Sequence, residues 1–309
     1  MSDTRRLSTN PGKPWLKRHR WLMLRRFNQL GVLFMFLLGP LFGAWLVTGN
    51  LSSSMTLDIL PLTDPLLLSQ SMLSGNWPAL TGFVGAGLVL LFYALLGGRV
   101  FCAWVCPVNL VTDLAAWLRR RLGIRGGVRI SRHLRWWLLG LVLLLPLLTG
   151  GMVWEYVNPV SMLHRGLIFG FGWAWLILAA VFLYDLLIVS RGWCGHLCPV
   201  GACYAAIGAA APVHIAAPRR DQCDDCLDCF KVCPEPQVLK PALKGTRLKS
   251  DSSHGPVIDS IDCTKCGRCI EVCDQDVFGL ALGWVDKDGF VKSNLSGQRP
   301  NAEQTKLQH

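Results

Sequence analysis

Cys223-Asp224-Asp225-Cys226-Leu227-Asp228-Cys229-Phe230-Lys231-Val232-Cys233-Pro234 is the stretch that decides the fold of the C-terminal part of this chain. Its spacing, C-x2-C-x2-C-x3-C, returns 30 residues after Cys233 as Cys263, Cys266, Cys269 and Cys273. This is the ligand run of a bacterial two-cluster ferredoxin. Three closely spaced thiolates wrap one face of a cubane, and the turns between them aim backbone N–H groups at its sulfides. The fourth Cys of each run is carried by a short helix to the other cluster. The spacing therefore predicts two [4Fe–4S] clusters, one on Cys223, Cys226, Cys229 and Cys273 and one on Cys263, Cys266, Cys269 and Cys233. Zinc sites use paired knuckles well separated in sequence. Disulfides need an oxidising compartment, and the orientation argued below puts this segment in the cytoplasm. Asp274 stands where a proline follows the first run, and it changes no ligand.

Outward from this stretch the composition changes. Over 309 residues the chain is 51% hydrophobic, with 13 Trp and a formal charge of +11. A half-apolar chain suits a membrane protein. Its basic residues flank apolar blocks and form no single stripe, which excludes a nucleic-acid surface as the reason for the charge. The apolar blocks are 27–48, 79–98, 136–154 and 167–189, each about long enough to cross a hydrocarbon core of about 30 Å. Pro146 predicts a kink in the third. A signal peptide is excluded by the length of the first block and the three that follow. Arg25-Arg26 reads as a positive flank, not as a twin-arginine signal.

The connecting segments set the orientation. Residues 49–78 hold no Lys or Arg, only Asp58 and Asp64, and 155–166 hold Arg165 alone. Residues 99–135 hold eight Arg: 99, 119, 120, 121, 125, 129, 132 and 135. The positive-inside rule then places both termini in the cytoplasm, around a multi-pass domain of four spans in a bacterial inner membrane. Trp45, Trp77, Trp136, Trp137, Trp154, Trp173 and Trp193 fall near span ends, as an aromatic belt does.

A second repeat lies inside this region. Arg99-Val-Phe-Cys102-Ala-Trp-Val-Cys106-Pro107-Val108 and Arg191-Gly-Trp-Cys194-Gly-His-Leu-Cys198-Pro199-Val200 share R-x-aromatic-C-x3-C-P-V at an offset of 92. Each closes a helical pair and precedes an interfacial helix, 108–122 or 200–211. Two parallel copies of one hairpin are related by an axis along the membrane normal, which brings both Cys pairs together near the cytoplasmic surface. Cys at i and i+4 face the same way on a helix, and Arg99 and Arg191 are expected to depress the thiol pKa values. Cys102, Cys106, Cys194 and Cys198 thus read as a redox or metal site. A thiol/disulfide pair, a cluster ligand set and a metal site all stay open, against the plain alternative of buried small side chains. Cys203 has no counterpart and reads as structural.

Among other polar groups, Asp185 inside the fourth block is a candidate for proton or quinol chemistry, against snorkelling or pairing with Arg99 or Arg191. Glu155, on the outer side, is a second candidate, against a hydrated loop acid. His164 is the one outer His, His196 lies between Cys194 and Cys198, and His133 is in the basic loop. No span offers facing His residues, so no haem is expected. The domain reading is a basic cytoplasmic segment at 1–26, a four-helix transmembrane domain at 27–190 and a C-x3-C-P segment with interfacial helix at 191–218. A ferredoxin-like domain follows at 219–280 and a polar tail at 281–309. The fold class is membrane α-helical: four transmembrane helices in two repeated hairpins, plus a C-terminal 2[4Fe–4S] ferredoxin-like α+β domain.

These residues resemble the NapH family of membrane ferredoxin-type subunits of periplasmic nitrate reductase systems. The supporting stretches are Leu-Arg-Arg at 24–26, Pro-Leu-Thr-Asp-Pro at 61–65, Asn-Pro-Val-Ser at 158–161 and Gly-Trp-Cys-Gly-His at 192–196, within a match over about 15–280. The wider polyferredoxin family, with MauN and NosR, shares the Cys pattern. The resemblance implies a component of a quinol dehydrogenase. It would draw on the membrane quinol pool and pass electrons to a periplasmic iron–sulfur protein of the NapG type, then to a membrane-anchored c-type cytochrome and nitrate reductase. The competing function is redox sensing, or electron supply for maturation of a periplasmic reductase. The implied acceptor lies outside while the clusters lie inside, about 30 Å of hydrocarbon away.

Overall fold

A computed structural model describes residues 16, 19–43, 45–124, 126–128, 130–170, 172–248 and 255–285. Most of the basic N-terminal segment and most of the polar tail lie outside the described residues.

Each apolar block is helical. The helices are α1 (Arg20–Phe42), α3 (Leu80–Leu96), α6 (Leu134–Thr149) and α8 (Trp173–Leu183), the last extended by a π-turn over Tyr184–Ile188. Among the described residues α1 alone is long and apolar enough to cross a membrane, while Leu80–Leu96, Leu134–Thr149 and Ala174–Ile188 are apolar and shorter. Pro146 stays inside α6.

The segments joining each pair are structured. After α1, the strands β1 (Val47–Gly49), β2 (Ser53–Thr56) and β3 (Leu60–Thr63) form an antiparallel sheet. Helix α2 (Pro65–Leu73) follows, and the Asp64 side chain caps it by accepting from the Leu66 N–H. In the second pair, α7 (Pro159–Phe169) is capped in the same way, with Asn158 accepting from the Val160 N–H. An Asx side chain before a helix-opening proline satisfies an orphan donor at each start. The hairpin repeat therefore includes a capped helix between its two long helices, which the Asp-Pro and Asn-Pro dipeptides signal.

The C-x3-C-P segments are not regular helix. The first pair of thiols starts on α4 (Val100–Trp104), which stops before Cys106. The second starts on a π-turn over Trp193–Leu197, with Cys198 capping α9 (Pro199–Ile207). Proline cannot continue the preceding helix, so each second Cys sits at a break. Helix α5 (Val108–Arg121) is amphipathic and carries Arg119, Arg120 and Arg121 in its last turn. Helix α9, which the sequence reading makes interfacial, packs Val200, Ala202, Tyr204 and Ala205 inside. Its ridge touches the end of the first repeat, where a Cβ on Gly98 would lie 1.5 Å from the Tyr204 carbonyl oxygen. Residues of both repeats share one core that includes Leu66, Tyr93, Phe101, Val142, Val181 and Tyr204.

The C-terminal head is a sheet in the order β5-β4-β6, from β4 (Val213–Ala216), β5 (Val257–Ile258) and β6 (Gly279–Leu282). Ile215 pairs with Ile258 and with Leu280. The strands thus extend past the 219–280 limits read from sequence, and residues 281 and 282 belong to β6 instead of a tail. Short helices α10 (Asp228–Val232) and α12 (Arg268–Val272) carry the middle of each Cys run, and α11 (Leu239–Leu248) lies between them.

Candidate functional site

The two ferredoxin runs have the same backbone. In each, the residues on either side of the second Cys are left-handed: Asp225 and Leu227 at φ 55° and 61°, Lys265 and Gly267 at φ 50° and 73°. Such turns aim successive N–H groups inward and make an anion nest. Gly267 has a second constraint, since a Cβ there would meet the Trp21 ring at 2.7 Å. The fold brings Cys229 against Cys226, Cys273 and Cys223, and burial with their combined charge pushes its thiol up to about 12. Cys269 lies against Cys266, Cys263 and Cys233. The fourth Cys of each run therefore stands with the other run's first three.

The four repeat cysteines converge as well. Cys106 faces Cys102 and Cys198, and Cys194 faces Cys198, Cys106 and Cys102. They are free, with Cys106 buried and the other three partly buried. The flanking arginines do not set their ionisation, contrary to the sequence expectation. Burial holds the Cys102 thiol above its ordinary range against the pull of Arg99, and burial with the Cys102 charge pushes Cys198 up to about 12. Desolvation outweighs a neighbouring cation when the thiol has no water. Among the described residues no three His, Cys, Asp or Glu side chains stand close enough to hold one metal ion, in either Cys-rich region.

What the arginines do is join the head to the helices. Arg99, 2% exposed, donates to Glu235 Oε1 at 3.1 Å, the Asp262 carbonyl at 2.8 Å and the Cys194 carbonyl at 3.1 Å. Its repeat mate Arg191 donates to the Val232 carbonyl at 3.0 Å and pairs with Asp113 at 3.1 Å. Asp113 also meets Arg25 at 3.5 Å, Arg268 at 3.2 Å and Arg26. Burial opposes its charge, but the four guanidiniums outweigh burial and hold the carboxyl below its ordinary range. Arg135 pairs with Asp262, and Arg132 with Glu235 at 3.3 Å. Arg25 and Arg26, read from sequence as a flank, are ligands of this network. Arg25 and Gln29 also hook α1 to the Ala103 carbonyl at 3.0 and 2.9 Å. A small cavity lies between the two sulfur sets, with Cys102, Cys194 and Cys266 on its walls.

The remaining candidates have structural partners. Asp185 is fully buried and accepts from the Trp193 N–H at 2.9 Å, so it holds the start of the second C-x3-C turn, and it lies within the electrostatic reach of Arg191 and Arg119. Glu155 accepts from Ser161 at 2.7 Å, Asn158 at 3.1 Å and Ser52 at 3.3 Å. His196 lines an open cleft with Arg132, His133 and Asp262, and His164 packs edge-on to Phe36 at 5.3 Å. Sequence reading passed over Asp64. Burial pushes its carboxyl up to about 6, and it contacts Tyr204. Tyr204 stacks on Phe101 at 4.6 Å.

Comparison with known proteins agrees with this division. A model described as "4Fe-4S binding domain" matches residues 78–125 and 171–212, which hold the two C-x3-C-P repeats, and a "4Fe-4S dicluster domain" matches 215–274. The chain is 49% identical to ferredoxin-type protein NapH of Escherichia coli, over 88% of this chain and 93% of the relative. It is 50% identical to NapH of Haemophilus influenzae, over 85% and 90%. It is 49% identical to the methylamine utilization ferredoxin-type protein MauN of Methylorubrum extorquens, over 87% and 92%. The chain belongs to the NapH/MauN family of ferredoxin-type proteins. No solved structure matches it. In this NapH/MauN-type chain, each half of the first domain match contains one of the converging Cys pairs, and the dicluster match spans the two nested runs.

Proposed function

We propose that the chain is a multi-pass inner-membrane electron carrier that takes electrons from quinol and relays them through iron–sulfur centres toward a periplasmic nitrate reductase. The observation that carries this reading is the junction at Arg99, where one buried guanidinium bonds both the Cys194 carbonyl and the carbonyl of Asp262, next to Cys263. A sulfur-rich site built from the apolar helices is thereby fixed against a dicluster head. The apolar helices support the membrane part: Phe27, Phe34, Leu91, Phe92, Leu147 and Leu176 are more than half exposed, and each faces outward from its helix. Such a belt is unstable in water and matches lipid.

The eight Cys of the head fit two cubanes, because both runs form left-handed N–H nests and exchange their fourth Cys. Bound clusters supply two one-electron acceptors. Quinol gives up two electrons and two protons, so two such acceptors take one turnover. The chain's own contribution is to hold the sulfurs, Cys226 apart, in buried or partly buried positions and to fix their spacing through the arginine–carboxylate network. The family relatives include NapH at 49–50% identity and MauN at 46–49%, so the nitrate branch rests on the NapH-like stretches and implies a NapG-type acceptor and a c-type cytochrome.

The test is anaerobic mixing of purified, detergent-held protein with a short-chain quinol. Reduction of EPR-visible clusters, blocked by omitting quinol, is expected. Clusters that dithionite reduces and quinol never does refute the quinol reading.

A further inference from the structure

An open cleft of about 740 Å³ separates the start of α1 from α5 and from the head. That is the size of a small-molecule site. Its walls differ in kind. Leu22 and Arg26 line it from α1, and Leu110, Leu114 and Trp117 line it from α5. Residues four apart lie one above another on a helix. Beyond Arg26 the next turns of α1 therefore carry Leu30 and Phe34, both more than half exposed. The cleft opens onto this apolar track along α1, which alone among the described helices is long and apolar enough to cross a membrane. The facing wall is the head. Val232, Arg268 and Val272 form it, and they directly precede Cys233, Cys269 and Cys273. The ligand runs of both clusters thus reach one cleft.

We infer that this cleft is where the quinol binds, with its ring against the head wall and its isoprenoid tail along Leu30 and Phe34 of α1. The inference rests on the quinol reading above and gives that reading a place.

Charge selects the headgroup. Arg26 and Arg268 are held by Asp113. Glu271, on the same wall, accepts from the Leu22 N–H at 2.9 Å. Arg120 lines the cleft too and stands outside the Asp113 ion pairs. A phosphate asks for several cations that no carboxylate already neutralises, and Glu271 works against it. A neutral ring with two oxygens asks for a donor, which Arg120 supplies, and for a flat apolar wall, which Trp117 supplies. Nearness to both ligand runs has no bearing on a structural lipid, but it suits a two-electron donor.

The experiment is photolabelling of the anaerobically purified full chain in detergent with a short-chain azidoquinone, followed by peptide mapping. Label on residues 20–34 or 108–121, suppressed by excess plain quinone, is expected. Leu114→Trp fills the cleft from an exposed position. It should weaken labelling roughly tenfold while iron stays at about 8 per chain. Label on 128–136, in the cleft beside His196, or on 47–73 overturns the inference, and so does unchanged labelling of Leu114→Trp. Suppression by phosphatidylglycerol but not by plain quinone assigns the cleft to a lipid and overturns it as well. If the variant does not accumulate, the wild-type map decides alone. Labelling reads binding, so the two readings fail separately. Clusters that quinol reduces, with label elsewhere, refute this site and keep the relay. Label in the cleft without cluster reduction keeps the site and refutes the relay.

Discussion

Leu227 and Gly267 occupy the same left-handed position after the second Cys of each run, yet they answer to different constraints. Leu227 bears the cost of a side chain at φ 61°, about 1–2 kcal/mol for an L-residue in this region. Leu227→Gly should therefore leave iron content unchanged and hold or raise the melting temperature. Gly267→Ala should do the opposite, because φ is 73° and the Trp21 ring lies 2.7 Å from the new Cβ. The expected result is a lower melting temperature and loss of α1 contact, read as a change in Trp fluorescence. A normal melting curve for Gly267→Ala would show that Trp21 yields freely. Gly98 is stricter still. With 1.5 Å to the Tyr204 carbonyl there is no room for a methyl, and Gly98→Ala should cost more than the roughly 1–3 kcal/mol of ordinary overpacking. Folded protein recovered by size-exclusion chromatography measures it.

Asp113 is the charge on which α1, α5, the second C-x3-C segment and the head all converge. Leaving four guanidiniums without their carboxylate is the costly way to break a buried network. Asp113→Asn should destabilise by about 3–5 kcal/mol. Its acid dependence follows from the lowered carboxyl. The stability Asp113 contributes is present above the unfolded range of about pH 4 and is lost as pH falls through the lowered folded value. Asp113→Asn should flatten that acid limb in a pH series of melting temperatures, and an unchanged limb would assign it to other carboxylates. None of this network was legible in the chain. The helices were, because apolar runs declare themselves locally, and so were the eight ferredoxin cysteines, because their ligand spacing is local. Asp113 finds Arg25 88 residues away and Arg268 155 away, and no periodicity encodes such a pairing. The sheet over 47–63 was missed for a different reason: its strands are three or four residues long, one contains Pro61, and their burial comes from packing on α3. Arginines near apolar blocks were read through membrane topology, and that hid their second use as bolts between head and helices.

At the scale of the whole molecule, the head sits on one end of the helices and the capped helices α2 and α7 on the other. Trp104 Nε1 donates to the Lys265 carbonyl at 3.3 Å and the Leu22 N–H to Glu271 at 2.9 Å, so the head meets the start of α1 and the end of the first repeat. The two polar ends differ in charge as the positive-inside rule requires: arginines crowd the head end, while residues 49–78 hold none. If the head lies in the cytoplasm, as proposed, a phosphatase reporter fused after His309 should be inactive and a cytoplasmic reporter there active. The same phosphatase inserted after Asn76, in the turn between α2 and α3, should be active. The reverse pattern would put the clusters on the periplasmic face and remove the need for electrons to cross the bilayer to reach a periplasmic acceptor. The expected pattern keeps that need. It makes the aromatic cluster of Phe101, Tyr93 and Tyr204, which lies between Cys102 and the carboxyl of Asp64, the route to interrogate. Tyr204→Phe removes the hydroxyl at Asp64 and keeps the stacked ring. If the route carries charge outward, this variant should keep its iron content and quinol-reducible clusters yet slow quinol-linked reduction of a periplasmic acceptor several-fold. Wild-type rates in inverted and right-side-out vesicles alike would show that charge leaves the molecule elsewhere.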